Sequence, residues 1–223
     1  MTLQVALVGT DGIVLASDLK INSREANFNS SCLRSKILVN HERKIAACWS
    51  HDKDVSMELA ERVISGMTDS DFEYPHHPVN VLAKQILDAA RGPYDTQHEI
   101  EIAVVTLADP PRAYEINAKG DGNYICERCP DQIVFGHRAN PARFFLERYY
   151  QRLPIAKLLA LAAHVVVNAG RINPRGIEGL EIVLCTKEGF HRLSEQETDA
   201  LTRWSDELDS KIMQQLFASF EAR

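Results

Sequence analysis

The sequence predicts an α+β chain: two antiparallel sheets covered by pairs of helices, a four-layer αββα sandwich. Three observations carry this. Apolar residues alternate strand-fashion in three groups of segments, while two pairs of segments with helical apolar spacing stand between the groups. No linker, internal repeat or break in composition divides the 223 residues, so a single domain over 1–223 is expected, ending in an amphipathic helix at about 195–222.

The elements follow in order. Residues 3–9 read as a strand, "GTDG" (9–12) as a hairpin turn, and "IVLASDL" (13–19) as the returning strand. The polar, Asn/Ser-rich stretch 21–35 reads as a long loop. "KILV" and "KIAACW" are two strands joined by "NHER" (40–43). The apolar spacing then turns helical over 51–66, with Val55, Leu59, Val63 and Ile64 on one face and Ser50 or Asp52 as N-cap. A second helix is expected near 79–91, after the loop "EYPHHP". Strands return at 99–107, 112–118 and 132–136. Helices at 141–151 and 154–169 each open on proline, which suits a first helical turn. "GLEIVLCT" and "GFHRL" form a late hairpin around "KEG". In the last helix Leu201, Trp204, Leu208, Ile212, Leu216 and Phe220 share a face, and Ser194 with Glu197 forms a capping-box pattern.

Composition excludes several classes of function. Hydrophobic residues make up 45% and charged residues 25%, enough to bury a core without metals or disulfides. Net charge is −6 and no basic run occurs, which argues against a nucleic-acid partner. The longest apolar run, 158–167, is half a membrane span and holds His164, so it reads as a buried helix rather than a membrane segment. No basic region precedes the first apolar stretch, so no secretory leader is expected. Five cysteines, an odd number, fit a reducing cytoplasm better than a disulfide framework.

Thr2 begins a strand directly after the initiator methionine. Removal of Met1 would put a hydroxyl nucleophile and a free α-amine on one residue. That amine, with an ordinary pKa of about 7.7–8.0, can take the hydroxyl proton, as no internal amide nitrogen can. The opening "TLQVALVGTDGIVLASD" resembles the start of proteasome β-type subunits and of the HslV-type peptidase, both N-terminal-nucleophile (Ntn) hydrolases. In that family the mature chain begins with Thr, and the hairpin's second strand ends in "ASD" or "AAD". Asp18 stands at the matching place, and "SKILV" supplies Lys36, the next family landmark. The resemblance is clear over residues 2–66 and continues by element order to about 193. The Met-Thr start, acidic balance and single chain favour the betaproteobacterial proteasome homologue, an HslV-descended group, over HslV or the Anbu branch.

The resemblance implies a self-compartmentalising threonine endopeptidase of bacterial, cytoplasmic type. Thr2 would attack peptide carbonyls inside two stacked rings of roughly six or seven copies each. Lys36 would lower the hydroxyl pKa and Asp18 would hold Lys36. An oxyanion donor would come from the backbone N–H at Ser50–His51, where relatives usually have glycine. His51 itself reads as a helix-start residue or as a proton-transfer group. Trp49 reads as the floor of a substrate pocket or as a core tryptophan. Asn22 and Lys53 match places whose backbones pair with an extended peptide substrate. An ATP-dependent unfoldase is a partner type that the sequence does not identify. No cofactor or metal is called for.

The family pattern also breaks. The serine of its Gly-Ser-Gly is replaced within "FGHRANP" by His137 or Arg138, and its D-x-x-S-G-G slot reads "INPRGIEGLEI". Two other readings therefore stand beside the peptidase: a catalytically weak or inactive ring scaffold, and an N-terminal-threonine amidase acting on a small amide. "CERC" (126–129) is half a zinc motif and reads as a pair of turn cysteines. His76 and His77 fall in a polar loop, and Cys48 reads as core.

Overall fold

The computed structural model describes residues 2–25, 28–51, 53–73, 78–90, 99–119, 124–136 and 141–221. The first sheet contains β1 (Leu3–Val8), β2 (Ile13–Ser17), β10 (Gln132–Gly136), β11 (Glu181–Thr186) and β12 (Gly189–Arg192), in the order β10-β1-β2-β11-β12. The second contains β5 (Ile37–Asn40), β6 (Ile45–His51), β7 (Glu99–Thr106), β8 (Arg112–Lys119) and β9 (Tyr124–Cys129), in chain order across the sheet. Every pairing in both is antiparallel.

Side chains alternate across each strand, so each strand feeds two cores. From β1, Leu3, Val5 and Leu7 pack with Leu158, Ala162, Val165 and Val166 of α4 (Ile155–Ile172) and with Leu146 of α3 (Pro141–Tyr149). Ala6 and Val8 point the other way. They pack with Ile37, Ala46, Ala103 and Val105 of the second sheet. The second sheet's other face, with Ile45, Trp49, Ile102 and Val104, packs on α1 (Lys53–Gly66) and α2 (Pro78–Ala90). Burial on both faces explains why β1 and β2 read as near-continuous apolar runs. α4 is long and apolar enough to cross a membrane by length and composition. In this fold its apolar face covers the first sheet, and truncating one such residue, as in Leu158→Ala, should cost about 2–5 kcal/mol.

α5 (Glu195–Glu221) starts as its sequence dictates. The Ser194 N–H donates to Glu197 Oε2 at 2.7 Å and the Glu197 N–H to Ser194 Oγ at 3.3 Å, a closed capping box. Thr198 and Ser205 are buried along its first turns, whereas Ile212, Met213, Leu216 and Phe217 are exposed. His164 of α4 is buried beneath it, with Nδ1 2.9 Å from Ser205 Oγ.

Three readings are corrected. The stretch taken as a loop over 21–35 contains most of β3 (Lys20–Glu25) and all of β4 (Phe28–Leu33), which among the described residues pair only with each other. Backbone pairing needs no apolar alternation, and this hairpin joins neither main sheet, so its sequence carries no periodic signal. The "CERC" segment lies in β9 rather than in a turn. Cys126 packs on the helix side and Cys129 toward the facing sheet, as an odd spacing along a strand requires. Burial pushes the Cys126 thiol up to about 12 and that of Cys129 to about 11, so both stay protonated at neutral pH. Lastly, β6 runs through His51, paired with Ile100, so neither Ser50 nor His51 begins the helix. Asp52, His76, His77, His137 and Arg138 lie outside the described residues.

Candidate active site

β1 and β2 form a hairpin whose open end carries Thr2 and Asp18. The two strands are locked there by reciprocal bonds. The Asp18 N–H donates to the Leu3 carbonyl at 3.2 Å, and the Leu3 N–H donates to Asp18 Oδ1 at 2.8 Å. Oδ2 of Asp18 accepts the Lys20 N–H at 3.0 Å. Ser17 closes the corner, its hydroxyl 3.3 Å from the Leu3 carbonyl and 2.9 Å from that of Asp18. The carboxylate is thus fixed by backbone before any cation reaches it.

Lys36 precedes β5 on the facing sheet. Its Nζ donates to Asp18 Oδ2 at 2.8 Å and to Thr2 Oγ1 at 3.1 Å. Both charged side chains are dry: that of Lys36 is 1% exposed and that of Asp18 0%. Burial pushes the Lys36 ammonium below its ordinary value, against the attraction of Asp18. Burial likewise pushes the Asp18 carboxyl up, against Lys36 and the two backbone donors. A lysine whose ammonium is weakly solvated and 3.1 Å from a hydroxyl can donate to that oxygen and stabilise it as an alkoxide. Cys48, on β6 opposite Ile37, lies in the same buried region. Burial raises its thiol to about 12, so it is no competing thiolate.

On the other side of Thr2, β10 comes close. Gly136 has φ +117°, and a Cβ there would stand 1.9 Å from the Thr2 carbonyl oxygen. Only glycine fits. Beside Gly136 and Leu3 opens a cavity of about 350 Å³, lined also by Glu101, Glu115, Asn117 and Arg143. Ser50 donates its hydroxyl to Glu101 Oε2 at 2.8 Å.

The structure therefore gathers Thr2, Asp18 and Lys36 into one hydrogen-bonded group. It does not bring Trp49 into that group. Trp49 is 2% exposed and packs with Ile21, Val55 and Leu59 on the helix side. Its backbone N–H donates to the Lys36 carbonyl at 3.3 Å, which ties β6 to the residue that carries the ammonium. Asn22 sits in β3 opposite Ser31, His51 ends β6, and Lys53 opens α1. Reading the sequence missed Ser17, Gly136 and Glu181. Glu181 is a buried carboxylate that reaches the backbone of Lys36. A charged residue at an inward position of the apolar strand "EIVLCT" is the signal that marks it.

No family model and no curated protein matches the chain. Among solved structures it is similar to an Anbu (Gly-1) mutant from Hyphomicrobium sp. strain MC1, with a TM-score of 0.63 and 15% identity over 96% of this chain and 97% of that one. It is also similar to Anbu, an ancestral β-subunit, from Yersinia bercovieri, with a TM-score of 0.67 and 12% identity over 95% of this chain and 97% of that one. At these identities the likeness is one of fold. A mixed α/β architecture with antiparallel sheets, together with these neighbours, gives an Ntn-like fold. The neighbours also correct the subfamily: they are Anbu proteins, not HslV-type peptidases or the betaproteobacterial homologue. A Met-Thr start and an acidic balance are too generic to separate such branches.

Proposed function

We propose that this chain is a threonine peptidase whose nucleophile is Thr2 after removal of Met1. The observation that carries the reading is the placement of Lys36 Nζ, 3.1 Å from Thr2 Oγ1 and 2.8 Å from Asp18. The freed α-amine takes the Oγ proton as Oγ attacks a peptide carbonyl. Lys36 stabilises the charge left on Oγ, and Asp18 holds Lys36. A backbone N–H at Ser50–His51 donates to the carbonyl oxygen as it becomes negative. The amine returns its proton to the leaving peptide nitrogen and an ester to Thr2 remains. Water, deprotonated by the same amine, then hydrolyses that ester.

Several finer points belong to this reading. Residues 1–223 form a single domain in a four-layer αββα sandwich, supported by two helix-side cores and one core between the sheets. The substrate is an extended peptide laid between the backbones of Asn22 and Lys53. Trp49, buried as it is, narrows the pocket from beneath. Copies of the chain assemble into two stacked rings of roughly six or seven, in the cytoplasm, with the sites enclosed.

A peptide epoxyketone tests the central claim. The Thr2 hydroxyl adds to its ketone and the α-amine opens its epoxide. A cyclic adduct forms with no leaving group, so its mass is the sum of protein and probe. Intact mass and peptide mapping should place it on a chain that begins at Thr2. Retention of Met1 in every molecule, or no adduct, would remove the proposed base and the reading with it.

A further inference from the structure

Lys36 is gripped from behind by a second ion pair. Glu181 opens β11, next to the end of β2, where it pairs in register with Ser17. Its side chain crosses to the facing sheet. Oε2 accepts the N–H of Lys36 at 3.0 Å and that of Ile37 at 3.3 Å. Oε1 accepts the Ser35 hydroxyl at 2.6 Å and pairs with Arg192 of β12. Arg192 in turn donates to the Ile37 carbonyl at 2.7 Å and to Ser35 Oγ at 3.1 Å. Glu181 is 6% exposed. Every hydrogen bond found for its carboxylate goes to residues 35–37 or Arg192.

This grip has a geometric reason. β5 is the edge strand of its sheet. Among the described residues its outer N–H and C=O groups have no neighbouring strand, so strand pairing holds this backbone from one side only. Glu181 supplies the acceptors and Arg192 the donor that a further strand would have supplied. The segment so held is the one from which the Lys36 side chain reaches Thr2.

We propose that Glu181 and Arg192 are positioning residues for Lys36, a clamp that fixes where its ammonium stands relative to the Thr2 hydroxyl. This rests on the peptidase reading above. The clamp acts on transition-state geometry, not on substrate affinity, because neither residue faces Thr2. A misplacement of about 1 Å in a catalytic group can cost about 100-fold in rate. Loss of the clamp should therefore lower kcat and leave KM unchanged.

Glu181→Gln is the first test, since it keeps the shape. One amide oxygen cannot serve both arms: turned to the backbone N–H groups, it aims an NH2 at Arg192. Arg192→Lys is the second, keeping the charge and losing the fork. Both are assayed as assembled protein with a fluorogenic peptide, a peptide epoxyketone, and hydrogen exchange of the segment spanning residues 35–38. The expected result is faster exchange in that segment, kcat and the adduct rate down ~10–100-fold, and KM within about twofold of wild type. Faster exchange with unchanged kcat would make the pair a structural brace and overturn the inference. Unchanged exchange would overturn the clamp itself. A parallel rise in KM with unchanged kcat would place the effect on substrate binding and refute positioning. A wild-type protein that forms no adduct would overturn the peptidase reading, and this inference with it. An active wild type beside kinetically normal variants would overturn the inference alone.

Discussion

Asp18→Asn isolates what the carboxylate does for a buried lysine. The substitution keeps the shape and one carbonyl oxygen, and removes the charge that faces Lys36 Nζ at 2.8 Å. With its side chain 1% exposed, Lys36 has no water to turn to. It then has two courses: remain charged without a partner, or lose its proton. Breaking a buried pair from one side costs about 3–5 kcal/mol. Deprotonation sets a ceiling. Each pH unit below the ordinary lysine value of 10.5 costs about 1.4 kcal/mol, so at pH 7 the ceiling is about 5 kcal/mol and at pH 9 about 2 kcal/mol. Those ceilings take the wild-type pair as break-even against its own desolvation. The sign follows from proton counting. Burial lowers the Lys36 pKa even with Asp18 in place; without that charge it should fall further, so folded Lys36 in the variant should bind fewer protons than the unfolded chain over the window from there up to its ordinary 10.5. The variant's stability therefore rises with pH across that window, and its deficit against wild type shrinks. The assay is urea unfolding of both proteins at one protein concentration, at pH 7 and pH 9. A deficit below about 1 kcal/mol at pH 7, or one that does not shrink by pH 9, would refute the account of Asp18 as the charge partner.

Other outcomes follow from the same geometry. Lys36→Ala should abolish turnover and the epoxyketone adduct while leaving assembly intact, and Lys36→Arg should also fail because a planar guanidinium does not replace a compact ammonium; a variant that reacts as fast as wild type would remove Lys36 from the mechanism. The pH–rate profile should be bell-shaped: it rises as the Thr2 α-amine loses its proton, below its ordinary value of about 8 because the Lys36 ammonium stands beside it, and falls as Lys36 loses its own at a pH below the ordinary 10.5, because burial lowers it. A plateau that persists past pH 10.5 would contradict this. Gly136→Ala should cost ~2–4 kcal/mol in a melt and slow the adduct, since its Cβ would stand 1.9 Å from the Thr2 carbonyl oxygen. Sedimentation at micromolar concentration should show one large particle, and a monomer alone would rule out the rings.

The gathering of Thr2, Asp18 and Lys36 was legible through the family resemblance of the opening residues, because Lys36 stands on the facing sheet beyond β3 and β4, where spacing alone does not bring it to Thr2. The strands themselves were legible as apolar segments, but the sharing of their residues among three cores was not, because β1 and β2 are buried on both faces: Leu3, Val5 and Leu7 face one way, Ala6 and Val8 the other. The pair β3 and β4 was not legible, because its Asn- and Ser-rich sequence has no apolar alternation to read. Glu181 and Arg192 were not legible as partners of residues 35–37. Nothing in a one-dimensional string joins positions some 145 residues apart: the apolar strand around Glu181 marks it as an unusual charge but does not name its partner, and Arg192 looks like an ordinary charge in a late hairpin. Gly136 was read past for the neighbours that follow it, although its reason is steric and immediate. The subfamily was misread because charge balance and a second-position threonine are shared by too many chains.

The long reach of the Glu181 contact has a consequence in time. Lys36 leaves the ribosome 145 residues before Glu181, whose side chain steadies it. Closing a loop of 145 residues costs more entropy than closing a short hairpin. The β1–β2 hairpin can form early, since its contacts are close in sequence. The Lys36 N–H gains its Glu181 acceptor only when β11 arrives, and Arg192 of β12 comes later still. On the peptidase reading, a nascent chain would carry Thr2 before the clamp on the Lys36 backbone is complete.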